Sequence, residues 1–313
     1  MTFWSNKNVM VTGGYGFLGS YVADKLLERG CHRSNISRMH SGGYDLRDRD
    51  DVRDAYRDQK PDVVINVAAT VGGIGANIEN PGKFIYDNLM MGLLMMEEAR
   101  ICGVQKFVQI GTVCSYPSVS PAPLVETDIW NGYPEPTNAP YGIAKRALLE
   151  LSSSYKKQYG LNSVNLIPVN LYGPRDTFDP KRSHVIPALI RKCMEAKESG
   201  SPLTVWGTGK ASREFLHADD CAEAILLAAE FYNETDPVNV GTGEEILVRD
   251  LVKIIADMVG FTGEIIWDST KPDGQLRRVL NVSKAEREFG FKAKKDFTEG
   301  LRETIEWYER TRP

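Results

Sequence analysis

Hydrophobic and polar positions along the chain follow two alternating patterns. Short apolar runs rich in valine and isoleucine predict buried parallel strands at residues 8–12, 62–67, 106–110 and 163–168. Between these runs, amphipathic stretches predict helices at residues 18–29, 50–59, 84–102 and 141–159. Strands and helices that alternate at this spacing predict an α/β fold with a doubly wound, parallel Rossmann-type sheet.

After about residue 174 the loops lengthen, proline becomes more frequent and the apolar runs shorten. Short segments lie at residues 203–206, 237–240, 264–267 and 278–280, and helical patterns near 220–232, 248–259 and 298–310. We interpret residues 1–174 as mainly a dinucleotide-binding domain and residues 175–313 as mainly a smaller α/β substrate-binding domain. The two are expected to interleave, since the chain can return to the first sheet, and the ligand is expected in the cleft between them.

Composition excludes several classes of partner. The formal net charge of -4 gives no electrostatic footprint for nucleic acid or an anionic membrane, so any phosphate must be held by local basic residues and helix N-termini. No apolar run approaches the length of a membrane span. The first predicted strand starts too early for a signal peptide, and five scattered cysteines indicate neither a disulfide framework nor a zinc site. We therefore expect a protein of the cytoplasm, with no metal.

A glycine-rich turn joins the first predicted strand to the first predicted helix. Gly13, Gly16 and Gly19 have a GxxGxxG spacing. Glycine lets the backbone approach a pyrophosphate closely, and the following helix N-terminus supplies N–H donors and a positive dipole end. An ordinary tight turn without a ligand is the alternative. The position of the glycine-rich turn at the first strand–helix connection favours a dinucleotide site.

The choice between NAD and NADP depends on the end of the second strand, predicted near residues 36–39. A carboxylate there would bind the ribose 2′-hydroxyl of NAD, whereas an arginine suits the 2′-phosphate of NADP. This segment carries Arg38 and has no acidic residue before Asp45. NADP(H) is therefore the predicted cofactor. Asp48 is expected either to follow the next turn or to bind the adenine edge.

Tyr141 and Lys145 are i, i+4 neighbours at the edge of an apolar helical stripe. A lysine ammonium near a phenol is expected to stabilise the phenolate and lower the tyrosine pKa. Such a phenol can exchange a proton with a carbonyl or alcohol, and the lysine can also bind the nicotinamide ribose. Alone, this pair is usually a solvated helix face. Its place in a chain that opens with GxxGxxG favours catalysis.

Over nearly its whole length the chain resembles the extended short-chain dehydrogenases/reductases. The resemblance is carried by residues 13–19, 71–74, 111–117, 135–141, 170–174, 183–188, 205–207, 213–217 and 271–274. It is strongest to members that act on a nucleotide-activated keto-sugar. The resemblance implies NADPH-dependent 3,5-epimerisation and 4-keto reduction of a GDP-4-keto-6-deoxy-D-mannose.

The resemblance also implies catalytic roles. Tyr141 and Lys145 match the reductase pair, and Thr112 takes the place of a more usual serine that holds the substrate carbonyl. Cys114 and His184 match the acid/base pair that moves protons at C3 and C5. A cysteine just after a strand is most often a small buried hydrophobe, but the residues that flank Cys114 favour the catalytic interpretation.

Binding residues follow from the same resemblance. The implied cofactor set is Gly13, Gly16, Phe17, Leu18, Gly19, Arg38, Asp48, Ala68, Lys145 and His184. The implied substrate set is Asn170, Lys192, Trp206, Arg213, Lys271 and Asp273. Two positions depart from the family pattern. Lys192 stands where some members have arginine, which removes bidentate pairing, and Tyr15 stands where some have a basic residue near the cofactor phosphate.

The predicted helix at residues 84–102 has an apolar surface wider than one stripe. It is either buried entirely against the sheet or shared with a second copy, and we predict a homodimer formed with the Tyr141 helix. Three alternatives for function stay open. The substrate is another GDP-keto-sugar, such as a GDP-keto-heptose; or the chain performs only one half-reaction; or it is a non-catalytic cofactor sensor.

Overall fold

The computed structural model describes residues 2–271 and 273–312. Pro272, part of one segment that carries the family resemblance, lies outside the described residues. The strands are β1 (Val9–Thr12), β2 (Ile36–Arg38), β3 (Val63–Asn66), β4 (Lys106–Ile110), β5 (Ser163–Pro168), β6 (Asn170–Tyr172), β7 (Leu203–Trp206), β8 (Ser212–Arg213), β9 (Phe215–His217), β10 (Val238–Val240), β11 (Ile246–Leu247) and β12 (Ile265–Asp268).

The described helices are α1 (Phe17–Glu28), α2 (Arg49–Gln59), α3 (Ile74–Glu79), α4 (Pro81–Ile101), α5 (Ala139–Tyr159), α6 (Val185–Ser199), α7 (Ala218–Phe231), α8 (Val248–Val259), α9 (Ser283–Phe289) and α10 (Phe297–Thr311). Seven of them match the predicted helices, with ends that differ by a few residues, whereas α3, α6 and α9 were not among the predictions. In the described part of the chain, no helix combines the length and apolarity needed to cross a membrane.

Six strands form one parallel sheet in the order β2-β1-β3-β4-β5-β10. The chain runs from β1 to the edge strand β2 and then crosses back to β3 on the other side of β1. This reversal creates a topological switch point, where open α/β sheets bind ligands beyond the carboxyl ends of their strands. The predicted doubly wound fold is confirmed.

Alternate strand residues supply two separate cores on the two faces of this sheet. Val9 and Val11 of β1 pack on one face with Leu26 of α1, in a core that α7 completes. On the other face, Met10 packs with Tyr56 of α2 and with residues of α4. Because both faces are covered, every residue of β1, β3, β4 and β5 is buried, as the runs rich in valine and isoleucine predicted.

A third core lies outside the sheet, among α6, α8, α10 and the parallel pair β7–β12. Two short segments lie outside this third core. Residues 237–240 return to the main sheet, where β10 pairs with β5 and extends it. Residues 278–280 form no strand ladder; Leu280 makes an isolated bridge to Leu124, and Arg278 turns toward the carboxyl edge of β4.

Candidate active site

The turn after β1 is too tightly packed for side chains. Gly13 has φ +62°, and a Cβ on Gly19 would lie 2.2 Å from the Gly13 carbonyl oxygen. Gly16 caps α1 without a side chain, and the first turn of α1 as described holds no acidic residue. The backbone N–H groups near Phe17 and Leu18 and the positive end of the helix therefore lie at this turn, as a pyrophosphate requires.

Arg38, at the end of β2, is held against the glycine turn. Its Nε donates to the Gly14 carbonyl at 2.8 Å, and its guanidinium carbon lies 4.1 Å from the centre of the Tyr15 ring. Tyr15 thus supplies a stacking surface that orients Arg38. The adjoining recess is lined by Ser37, Arg38, Met39, His40, Gly43, Tyr44 and Gln59. With no carboxylate in that lining, the recess suits a phosphate.

Asp48 and Ala68, two further predicted cofactor residues, lie in different settings. The Asp48 carboxylate accepts hydrogen bonds from the N–H groups of Asp50 and Asp51 and so caps α2. One of its two expected roles, at the turn before α2, is therefore observed, and the adenine contact stays a prediction. Ala68 donates its N–H to Thr12 Oγ1 at 3.0 Å, and its Cα lies 3.3 Å from where a Cβ on Gly13 would stand.

A buried row of polar side chains, not predicted from the sequence, crosses the carboxyl ends of three strands. Thr12 Oγ1 donates to Asn66 Oδ1 at 2.8 Å, and Asn66 Nδ2 donates to Gln109 Oε1 at 3.0 Å. Gln109 Nε2 donates to the Ile110 carbonyl at 2.9 Å, which also accepts from Lys145 Nζ at 2.9 Å. Buried polar groups need such partners. The row connects the glycine turn to Lys145.

Tyr141 and Lys145 lie in the first turns of α5, and burial affects their pKa values in opposite directions. Burial lowers the pKa of Lys145 to about 8. Burial raises the pKa of Tyr141; the charge of Cys114 adds to this rise, and the Thr112 hydroxyl opposes it. The predicted lowering of the Tyr141 pKa is therefore wrong. The Lys145 ammonium lies 5.9 Å from the tyrosine ring centre and bonds the Ile110 carbonyl instead.

Cys114 lies on a short 3₁₀ turn, Val113–Ser115, directly after Thr112. The Thr112 hydroxyl accepts a hydrogen bond from the Cys114 N–H at 3.2 Å. The turn presses on α5 so closely that a Cβ on Gly142 would lie 2.3 Å from the Cys114 carbonyl oxygen. The half-buried thiol is contacted by Arg278, whose Nη1 lies 3.8 Å from Sγ. Thr112, Cys114 and Tyr141 therefore form one group.

His184 caps α6 from a different part of the chain. His184 is exposed, and desolvation by the surrounding protein lowers the pKa of its imidazole below the ordinary value. The loop at residues 71–74 faces it, since a Cβ on Gly73 would lie 3.1 Å from the Ser183 carbonyl oxygen. No hydrogen bond between described residues links His184 to Cys114 or Tyr141, so its pairing with Cys114 and its cofactor contact stay predictions.

Trp206 presents a half-exposed ring between two lysines. Lys192 Nζ lies 5.5 Å from the ring centre and Lys271 Nζ lies 5.4 Å from it. Burial lowers the pKa of Lys192, and the charge of Arg191 adds to this effect. An aromatic face next to cations suits a nucleotide, which offers a planar base and phosphates. The structure thus brings three predicted substrate residues together.

Arg213 and Asp273 lie beside this group. Arg213 Nη2 donates to the Asp273 carbonyl oxygen at 2.9 Å, and the Asp273 carboxylate accepts from both the N–H and the hydroxyl of Thr208 at 2.7 Å. Burial alone would raise the pKa of Asp273, but the Thr208 hydrogen bonds and Arg213 lower it overall. Asn170 donates to the Glu214 carbonyl at 2.9 Å, next to Arg213. Asp273 and Asn170 thus support this loop cluster, and direct substrate contact by either stays a prediction.

Comparison with known proteins gives consistent relatives. The sequence profile of the NAD dependent epimerase/dehydratase family matches residues 9–241. GDP-L-fucose synthase 1 of Arabidopsis thaliana is 39% identical over 304 residues, covering 97% of this chain and 93% of the relative.

Two solved structures cover nearly the whole chain. A GDP-6-OMe-4-keto-L-xylo-heptose reductase from C. jejuni superposes with a TM-score of 0.93 at 27% identity, covering 99% of each chain. A GDP-L-fucose synthetase from Naegleria fowleri bound to NADP superposes with a TM-score of 0.89 at 28% identity, covering 99% of this chain and 96% of the other.

Proposed function

Because the chain belongs to the NAD dependent epimerase/dehydratase family, we propose that it converts GDP-4-keto-6-deoxy-D-mannose to GDP-L-fucose. The reaction is epimerisation at C3 and C5 followed by NADPH-dependent reduction at C4. One observation carries the proposal. Cys114 places a thiol beside the hydroxyl groups of Thr112 and Tyr141. A simple ketoreductase needs the two hydroxyl groups but not the thiol.

The epimerisation uses the acidity of protons next to a ketone. Removal of the C3 or C5 proton places charge on the C4 oxygen, where the hydroxyl groups of Tyr141 and Thr112 stabilise it by hydrogen bonds. Cys114 and His184 act from opposite faces of the sugar ring, one removing a proton and the other returning one. Their side chains suit this because a thiol and an imidazole both exchange protons near neutral pH.

The reduction uses Tyr141 as the proton donor. When bound, NADPH supplies the hydride that reaches C4. The raised pKa of Tyr141 keeps the phenol protonated through the neutral range, so it can protonate the C4 oxygen. Lys145 holds a positive charge nearby and offers the ammonium to the nicotinamide ribose. Two relatives support the same cofactor, since the Naegleria synthetase and a C. jejuni GDP-mannoheptose C4 reductase have NADP bound.

Arg38 and the glycine turn fit NADP in particular. The turn has no room for Cβ atoms at its glycines, so its backbone is open to a pyrophosphate. Arg38 lies at the end of the second strand and stacks on Tyr15. On the substrate side, Trp206 with Lys192 and Lys271 would hold the guanine nucleotide, and Arg213 its diphosphate. These assignments follow the residue chemistry.

A second substrate is a GDP-4-keto-heptose. The superposition on the C. jejuni heptose reductase, at a TM-score of 0.93, favours it. The experiment that decides is product analysis by mass spectrometry and NMR, after incubation with NADPH and a panel of GDP-keto-sugars in deuterated water. GDP-L-fucose carrying deuterium at C3 and C5 supports the main proposal. Reduction of the deoxymannose substrate without deuterium at either carbon rejects the epimerase half.

The assembly we propose is a homodimer formed through α4 and α5. Tyr86 and Leu93 lie two turns apart on one face of α4 and are 58% and 40% exposed. Ile101 at the end of α4 and Tyr159 at the end of α5 are also exposed. Light scattering after gel filtration should give twice the chain mass, and Leu93→Lys should give the monomer. A wild-type monomer at micromolar concentration contradicts the proposal.

The compartment we propose is the cytoplasm. The five cysteines are all free thiols, which a reducing environment preserves. Cell fractionation that finds the protein with a cytoplasmic marker would support this, and recovery from an oxidising compartment would contradict it.

A further inference from the structure

A buried guanidinium approaches the thiol of Cys114. Arg278 is 8% exposed, and its Nη1 lies 3.8 Å from Cys114 Sγ. Its Nε donates to Gln275 Oε1 at 3.0 Å. Within residues 2–271 and 273–312, no carboxylate forms an ion pair with Arg278. Its partners in the described structure are therefore an amide oxygen and a sulfur.

Arg213 brings a second positive charge to the same place. Its guanidinium donates to the carbonyl oxygens of Ser212, Gln275 and Asp273. Burial, and then repulsion by Arg278, lower the pKa of Arg213 to about 10, while Asp273 opposes the change. Buried charges are costly unless an opposite charge compensates them. Asp273 offsets Arg213, whereas the group in contact with Arg278 that can become an anion is Cys114.

We propose that Arg278 is a positioning residue for the epimerase half-reaction, which keeps Cys114 as a thiolate and holds its sulfur toward the sugar. The inference rests on the proposed function for the role of Cys114 as a base. In that step the sulfur takes the proton from C3 or C5, the C–H electron pair forms a double bond to C4, and the π electron pair of the C4 carbonyl moves onto its oxygen. The hydroxyl groups of Thr112 and Tyr141 stabilise the resulting enolate.

The neighbouring residue Gln275 holds the loop that follows Cys114 but carries no charge. Gln275 Nε2 donates to the carbonyl oxygens of Pro117 and Ser118, at 3.2 and 3.0 Å. Gln275 therefore grips the chain just after Cys114 without any charge. Removing the charge of Arg278 should change the state of the thiol. Gln275→Ala removes no charge, but it loosens both the loop and the Arg278 side chain, whose Nε donates to Gln275 Oε1, so its effect on alkylation should be the smaller one.

The test measures the rate at which iodoacetamide alkylates Cys114, followed by peptide mass spectrometry. Every protein in this test carries Cys102→Ser, because Cys102 is exposed and iodoacetamide would otherwise alkylate it as well. Arg278→Gln should slow alkylation about tenfold or more at neutral pH, since an opposite charge at this distance favours the anion strongly, and should move the pH–rate profile to higher pH. Arg278→Lys should restore much of the rate. The other groups that face Cys114 with a charge or a proton, Arg213 and Tyr141, stay unchanged in each variant.

The matched control is Arg277→Gln. Arg277 adjoins Arg278 in sequence, but its side chain is 56% exposed and pairs with Glu245. Its loss should leave the alkylation rate of Cys114 unchanged. An equal effect of both substitutions, or no effect of Arg278→Gln in a variant that still binds NADPH, overturns the proposal.

A second measurement needs no Arg278 variant. The ultraviolet absorbance of wild type minus that of Cys114→Ser should show a thiolate band at neutral pH, and its absence overturns the proposal. The result is separable from the proposed function. If wild type fails to exchange C3 and C5 hydrogens while alkylation still depends on Arg278, the epimerase assignment fails and the thiolate inference stands. If wild type exchanges the C3 and C5 hydrogens but alkylation does not depend on Arg278, the epimerase assignment stands and the proposed role of Arg278 is rejected.

Discussion

The proposed reductase and epimerase halves of this site are built from different kinds of structure. Thr112 follows β4, and Tyr141 and Lys145 occupy one helix that packs against the sheet, with Lys145 bonded to the carbonyl at the end of β4. Cys114 and His184 instead come from a short turn and a helix start. The cation at the thiol, Arg278, is 164 residues further along the chain.

This difference follows from the two reactions. Reduction needs one proton donor at a fixed place, and regular elements hold side chains more firmly than loops do. Inversion needs groups on two opposite faces of a sugar ring, so they must come from separate parts of the chain. The reductase half is therefore set mainly by the sheet and α5. The proposed epimerase half depends in addition on segments after β6, which supply His184 and Arg278.

The largest expected effect is on the reductase half. Tyr141→Phe removes the phenolic proton donor and leaves the packing of α5 in place, so NADPH oxidation with keto-sugar should fall by about 10²–10⁴-fold. Binding of NADPH, measured by titration calorimetry, should change little. Deuterium exchange at C3 and C5 should persist at a reduced rate, because Thr112 still donates to the enolate oxygen. Near-normal NADPH oxidation would rule out the proton-donor role.

The next effect is on the epimerase half alone. Cys114→Ser replaces the thiol with a hydroxyl that does not ionise near neutral pH, and His184→Gln removes the second proton carrier. Exchange of C3 and C5 hydrogens with deuterated water, followed by NMR, should fall by about 10²-fold or more in each variant. Cofactor binding should be preserved, and any reduced product should keep its original configuration. If both variants still invert C3 and C5, the two residues are not the acid/base pair.

These two predictions also show what sequence reasoning can reach. The glycine spacing and the Tyr141–Lys145 spacing are local, so the geometry of a single turn or helix makes them visible in the sequence. The alternation of apolar runs likewise predicted the parallel sheet. Each of these features depends on residues close together in the chain, where backbone geometry alone decides which side chains meet.

Contacts between distant segments were out of reach. The row from Thr12 through Asn66 to Gln109 joins three strands, and its trace in the sequence is one polar residue near the end of each apolar run. No pattern in the sequence indicated that Arg278 contacts Cys114, because this contact depends on tertiary packing. The sign of the Tyr141 pKa shift was wrong for a related reason. Spacing shows that a lysine is near, but not that burial outweighs it.

A smaller effect concerns the choice of cofactor for the reduction. Arg38→Ala removes the guanidinium that stacks on Tyr15 at the glycine turn. A charge-assisted hydrogen bond to a phosphate contributes about 1.5–3 kcal/mol, so the preference for NADPH over NADH should narrow by about 10–100-fold. Titration of both cofactors measures this. Tyr15→Phe, which keeps the ring, is the control and should leave the preference intact. A wild type that prefers NADH refutes the assignment.

The smallest effect is a pH limit that only the reductase half should show. Burial lowers the pKa of Lys145 to about 8 and raises that of Tyr141. Below pH 8 both groups are protonated, so the ammonium and the phenolic donor are present together. As pH rises through about 8, Lys145 loses its charge first. One unit above this value about a tenth of Lys145 stays charged, so the reduction rate should fall about tenfold.

Two controls make this prediction decisive. Burial also lowers the pKa of Lys106 to about 8, at the amino end of β4 far from the site, so circular dichroism over the same range must show that the fold is unchanged. Lys145→Met should reduce slowly but without the fall near pH 8. Hydrogen exchange at C3 and C5 in the same samples should also lack it, because enolate stabilisation by Thr112 and Tyr141 does not use the ammonium. If exchange and reduction fall together while the fold is intact, the two halves share Lys145, and the division between a reductase held by the sheet and an epimerase held by loops is wrong.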